Sequence, residues 1–129
     1  MERTYVKGDW QQDRAFSPAV ITTGAQTMVW VAGHGGLRGE DGTVLKGDFE
    51  AQCRQCFRNL ERTLGRSGAT LKDIVTMTVF VTDARYTTPM TQIRAEIFGD
   101  DFPASAAITV TGFADPAMLI EIQCVAVIG

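Results

Sequence analysis

KDIVTMTVFVT, residues 72–82, is the stretch whose reading decides the fold. Val75, Met77, Val79 and Val81 alternate with Ile74, Thr76, Thr78 and Phe80, so a strand here has one wholly apolar face and one mixed face. Such a strand belongs in the middle of a sheet with different coverings on its two sides. Upstream, Phe49, Cys53, Cys56, Phe57, Leu60 and Leu64 fall at the spacing of one buried helical face. The pattern predicts a helix over 49–64, with Asp48 as its N-cap and Gly65 as its stop. Downstream, Thr88 and Pro89 open a second helix that turns Met90, Ile93 and Ile97 inward and closes near Phe98 and Gly99.

Working outward, AVITTGAQTMVWVA, residues 19–32, reads as two short strands joined as a hairpin at Gly24-Ala25-Gln26. GHGGLRGEDGTVLKG, residues 33–47, is too rich in glycine for a regular element. AAITVTG (106–112) and MLIEIQCVAV (118–127) are two further strands, parted by a link that holds Asp115-Pro116. The expected fold is therefore α+β, a two-layer sandwich of two helices on a mostly antiparallel sheet. On the last strand Met118, Ile120, Ile122, Cys124 and Ala126 suit the helix-covered side, yet Leu119, Val125 and Val127 make the other side largely apolar too. A sheet apolar on both faces, with helices for only one, predicts a homo-oligomer with clefts between subunits.

The whole chain sets bounds on the function. Its 129 residues, 45% of them hydrophobic, suit a single domain over 1–129. A net charge of −3 offers no global field for phosphate backbones, so nucleic acid is not an expected partner. No apolar run approaches a membrane span and the start, MERTYVKGDW, has no secretory pattern, so the expected location is cytoplasmic. Three cysteines, an odd and sparse set, suit a reducing compartment. The CRQC spacing of Cys53 and Cys56 falls mid-helix in the apolar stripe, which reads as packing and not as a redox pair. A zinc site lacks a second pair of ligands, His34 being the only histidine.

Several residues invite a chemical reading. Glu121 sits inside the apolar run LIEIQCVAV, where a carboxylate is costly unless paired, and such groups serve as general acids or bases. The alternative is a structural carboxylate bonded to a neighbouring subunit or an edge position in water. Arg54, Arg58, Arg62 and Arg66 recur every fourth residue, but Glu50 and Glu61 among them make a solvated, ion-paired face the better reading, with Arg66 past the Gly65 stop. GHGGLRG lacks the third glycine of a dinucleotide fingerprint, and no Walker motif is present. Ser17 and Ser105 have no neighbours that mark a nucleophile elbow. His34, in VAGHGG (31–36), is either a turn residue or a proton donor or hydrogen-bond partner at a site.

GDFEAQCRQCFRNLERTLGRSGATLKDIVTMTVFVTD, the segment FPAS-x5-TG and the closing LIEIQCVAV together resemble the Rid family, also called YjgF/UK114, from about Ser17 onward. The resemblance implies a chorismate-mutase-like subunit in a homotrimer with a barrel-like core and active sites between subunits. It also implies hydrolysis of reactive enamines and imines to a keto acid and ammonia, with neither cofactor nor metal. In that family an arginine in a P-A-R-S motif binds the substrate carboxylate, and a glutamate on the last strand positions water. Glu121 fills the glutamate position, but Ser105 stands where the arginine is expected.

Other positions depart as well. Ala32-Gly33-His34 replaces the usual Ser-Gly-Gln, Thr91 the usual Asn, and Ala19 stands about where a Tyr is usual. Arg94, one turn beyond Thr91, is either a replacement cation or an ordinary surface arginine. The resemblance thus casts Glu121 and His34 as catalytic, and Gly33, Ser105, Arg94 and Thr91 as the surroundings of a small-molecule substrate that differs from the usual 2-imino acids. A non-catalytic trimer that binds a small ligand is the alternative. A third reading, the ribonuclease activity attached to some relatives by name, sits poorly with the acidic pI of about 5.0.

Overall fold

Both helices lay their apolar stripes on one side of a four-stranded sheet, the α+β arrangement that the two periodicities demand. The computed structural model describes residues 1–129. The elements are β1 (Glu2–Val6), β2 (Ala19–Thr23), β3 (Thr27–Gly35), α1 (Phe49–Arg66), β4 (Ile74–Val81), α2 (Thr87–Phe98), β5 (Ala104–Thr109) and β6 (Ile120–Ile128). The main sheet runs β3-β6-β4-β5, antiparallel except where β5 pairs parallel to β4. Its core comprises Cys53, Cys56, Phe57, Leu60 and Leu64 of α1, Met90, Ile93 and Phe98 of α2, and Met77, Val79, Ile120 and Ile122 of the sheet. Phe57 meets Phe98 edge to face at 6.3 Å, and Phe49 stacks on Tyr86 at 4.3 Å, which seats the two helices side by side.

The sequence reading needs correction at several points. The hairpin over 19–32 does not form: β2 pairs with β1, an N-terminal strand that went unread, while β3 pairs with the C-terminal β6. Strand β3 also runs on to Gly35, so His34 lies in a strand and not in the glycine loop. Gly65 does not stop α1, which continues to Arg66. The stop is Gly68, at φ 79°, where the Ala69 amide donates to the Leu64 carbonyl at 2.8 Å. Arg66 is therefore the last helical residue, not one beyond the end. Helix α2 begins at Thr87, one residue before the expected Thr88, after a short turn that Asp83 caps by accepting from the Arg85 amide at 2.9 Å. In β4 a bulge between Ile74 and Thr76 shifts the phase, so that Ile74 and not Val75 joins Met77, Val79 and Val81 inside.

The side of the sheet away from the helices carries Trp30, 73% exposed, Ile108 and Met28, with half-buried Phe80 and Val125 between them. This is the second apolar face that the last strand foretold.

Candidate functional site

The VAGHGG stretch is built by close approach. The β3–β6 register slips between Val31 and His34, and the bulge aims His34 toward α1. Its Nδ1 lies 2.7 Å from the Ala32 carbonyl and its Nε2 2.7 Å from Thr63 Oγ1 on α1. A carbonyl only accepts, so Nδ1 carries the hydrogen, and in the neutral ring Nε2 accepts from the Thr63 hydroxyl. Both ring nitrogens are thereby occupied. On the opposite side of the bulge, a Cβ on Gly33 would lie 2.5 Å from Oε1 of Glu121. The glycine lets that carboxylate rest on the β3 backbone.

Glu121 stands between Ile120 and Ile122, both fully buried in the core, and so projects to the helix-free face beside Phe80 and Gly35. It is half-buried and forms no ion pair within the subunit.

The polar residues of α1 brace this loop. Buried Gln52 donates to the carbonyls of Leu45 at 2.9 Å and Ala117 at 3.0 Å, and accepts from the Leu119 amide at 2.9 Å. Asn59 donates to the Gly35 carbonyl at 2.9 Å, and Gln55 donates to Glu40, whose two carboxylate oxygens each accept from Arg62 Nη2 at 2.9 Å. Arg54 pairs with Glu50 and Glu96, so the arginine row is a solvated, ion-paired face. Cys53 and Cys124 are buried, and desolvation pushes both thiols up to about 12. Cys56 is also raised, and its Sγ donates to the His34 carbonyl at 3.0 Å. These are packing residues, not thiolate nucleophiles.

A second group of candidates converges elsewhere. Arg94 is not a surface residue: it is 3% exposed, and its Nη1 donates to Ser105 Oγ at 2.7 Å while Nη2 donates to the Arg14 carbonyl at 3.2 Å. Its Nε is buried without a partner, and no carboxylate pairs with it. Burial lowers its pKa from the ordinary arginine value to about 10. Ser105 sits beside Met77 in the parallel register and shares its core-facing side. Arg94, Ser105 and Thr91 line a cavity of about 600 Å³, together with Trp10, Phe16 and Thr87.

The structure thus brings Glu121 and Gly33 together, and separately Thr91, Arg94 and Ser105, on opposite faces of the sheet. His34 belongs to neither group. Trp10, Arg14 and Phe16 escaped sequence reading. The only signal was an aromatic pair flanking the polar run QQDRA (11–15), whose approach to β5 is not encoded locally.

A family profile described as Endoribonuclease L-PSP matches residues 11–128. The chain is 33% identical to the 3-aminoacrylate deaminase RutC of Acinetobacter baylyi over 110 residues, covering 85% of this chain and 86% of that protein. A RutC family protein of Pyrococcus abyssi is 32% identical over 99 residues, 77% of each chain. Among solved structures, the Rid family protein YyfB of Yersinia pestis superposes with a TM-score of 0.83 at 28% identity, covering 99% of this chain and all (100%) of that one. A YjgF/YER057c/UK114 family member of Mycobacterium tuberculosis gives 0.69 at 31% identity, with 98% and 100% coverage.

Proposed function

The chain belongs to the Endoribonuclease L-PSP family, the group of RutC and Rid proteins, and on that premise we propose that it is a cofactor-independent hydrolase that deaminates a small enamine or imine. The observation that carries the reading is a pair of unneutralised charges: Glu121 without an ion pair on one face of the sheet, and buried Arg94 without a carboxylate on the other. The likeness to a 3-aminoacrylate deaminase supports the reaction class. Arg94 holds the substrate carboxylate in place of the arginine that Ser105 supplants, with Ser105 and Thr91 beside it. Glu121 takes a proton from water as the water oxygen bonds to the imine carbon. That proton passes to the nitrogen to give a carbinolamine, whose hydroxyl proton then moves through Glu121 to the nitrogen as the C–N bond breaks, so that ammonia leaves and the carbonyl forms.

Because the two groups lie on opposite faces, one substrate can touch both only if they come from different subunits. The uncovered apolar face supports such an assembly, and we assign the site to the clefts of a homotrimer. His34, with both nitrogens occupied, serves to fix the bulge on which Glu121 rests.

The test is ammonia release from imino acids generated in situ by an amino-acid oxidase. Glu121→Gln is expected to lower kcat by about 100-fold or more, the ordinary worth of a general base. Arg94→Gln is expected to raise KM. Co-expressing the two variants should restore activity, because a cleft between them can draw Arg94 from one subunit and Glu121 from the other. Mixed assemblies that remain inactive would refute the shared cleft. Ligand binding with no ammonia release from any substrate would favour the non-catalytic trimer.

A further inference from the structure

Residues 7–16 connect β1 to β2 and close over Arg94. Within them Asp13 at φ 65° and Ala15 at φ 60° adopt the left-handed region without being glycine, a conformation that persists only where the surroundings impose it. The surroundings here are explicit. Ala15 is buried, the Arg14 carbonyl between the two accepts from Arg94, and just beyond them the Ser17 amide donates to the Pro103 carbonyl at 3.0 Å and its hydroxyl to the Phe102 carbonyl at 2.6 Å.

The strap held this way presents Trp10 and Phe16 as a tilted aromatic pair, 5.3 Å between ring centres, on the wall of the Arg94 cavity. Trp10 is 64% exposed, an unusual state for so large an apolar surface unless something covers it. The cavity, at 600 Å³, is of the size that takes drug-sized ligands and exceeds what a three-carbon acid needs.

We propose that Trp10 and Phe16 make this cavity selective for carboxylates that carry a flat apolar side chain, the carboxylate docking on Arg94 and Ser105 and the side chain packing against the two rings. The proposal rests on the reading above, in which the same cavity holds the substrate carboxylate. A guanidinium offers two parallel N–H donors to a carboxylate and gains most where water is excluded. Aromatic rings add offset or edge-to-face contacts that a methyl side chain cannot make. Met90 and Ala107 add apolar surface to a wall that also holds Thr87, Thr88, Thr91 and Gln92, while exposed Asp13 and Arg14 stand in solvent and so neither attract nor repel strongly.

Two arms test this. In a Trp30→Phe background Trp10 is the only tryptophan, and its fluorescence reports the cavity directly. Phenylacetate should saturate the signal at a concentration at least 10-fold below acetate or phenylacetamide, and Arg94→Gln should abolish the difference between phenylacetate and phenylacetamide. Equal half-saturation for phenylacetate and acetate, or indifference to Arg94→Gln, would overturn the proposal. In the second arm, kcat/KM is compared for the imino acids generated from phenylalanine and from alanine. Trp10→Ala should lower the ratio of the first to the second at least 10-fold. If neither imino acid is deaminated, the hydrolase reading fails while the fluorescence arm still decides the selectivity. Should the alanine product be preferred and Trp10→Ala affect both alike, the selectivity fails while the hydrolase reading stands.

Discussion

Gly36 shows how a single missing side chain can set a site's geometry. A Cβ there would lie 2.5 Å from the Cys56 amide nitrogen, inside the backbone of α1. The loop that follows β3 can lie against the helix only because this position is bare. Gly36→Ala must push strand and helix apart, and a loss of about 3 kcal/mol is expected, at the upper end for overpacking a core. Chemical denaturation of the variant checks it; a change within experimental error would mean that the loop yields easily. The same closeness explains why Gln52, Gln55 and Asn59 on α1 point their amides at the loop rather than at solvent. In the sequence these residues form part of a family signature, but their physical work is to hold the backbone that carries Gly33 and His34.

The ends of α1 separate what periodicity can reveal from what it cannot. Gly65 lies inside the helix with nothing within 4 Å of a would-be Cβ, whereas Gly68 sits at φ 79° in the closing turn. Gly65→Ala should therefore stabilise the protein by about 1 kcal/mol through helix propensity, and Gly68→Ala should destabilise it by a similar amount. Paired thermal melts read both signs at once, and matching signs would contradict the assigned stop. Two glycines near a helix end look alike in sequence, because the choice between them is made by where Ala69 can bury and bond back to Leu64. The stripe from Phe49 to Leu64, the cap Asp48 and the two faces of β6 were legible because each concerns neighbours along one element. The partner of β2 was not, since the turn at residues 24–26 fits a hairpin as well as it fits a crossing between sheets. Likewise Glu121 was visible as a carboxylate out of place, and Arg94 and Ser105 as candidates. Their bond joins α2 to β5, and the segment that carries the Trp10–Phe16 pair meets Arg94 across 80 residues of chain, through the Arg14 carbonyl.

At the scale of the molecule, the helix-free face is the feature that asks for a partner. Trp30 at 73% exposure, with Met28 and Ile108 each 44% exposed, lies on the same side of the sheet as half-buried Phe80 and Val125. Placing a charge in that patch, as Trp30→Glu, should convert the proposed homotrimer to monomers, because an unpaired carboxylate buried in such an interface costs several kcal/mol. Sedimentation equilibrium distinguishes the states. A wild type that is already monomeric would remove both the interface and the shared cleft.

The strand order β3-β6-β4-β5 carries a consequence for how the protein is made. β6, made after the other strands of the sheet, is an inner strand, and β3 has no other neighbour in the main sheet. Residues 36–119 must all be made between β3 and the strand that receives it, so this pairing of high sequence separation closes late. Until then β3 has no partner in the main sheet and β4 can pair only with β5, so an apolar strand edge waits open in the nascent chain for its mate.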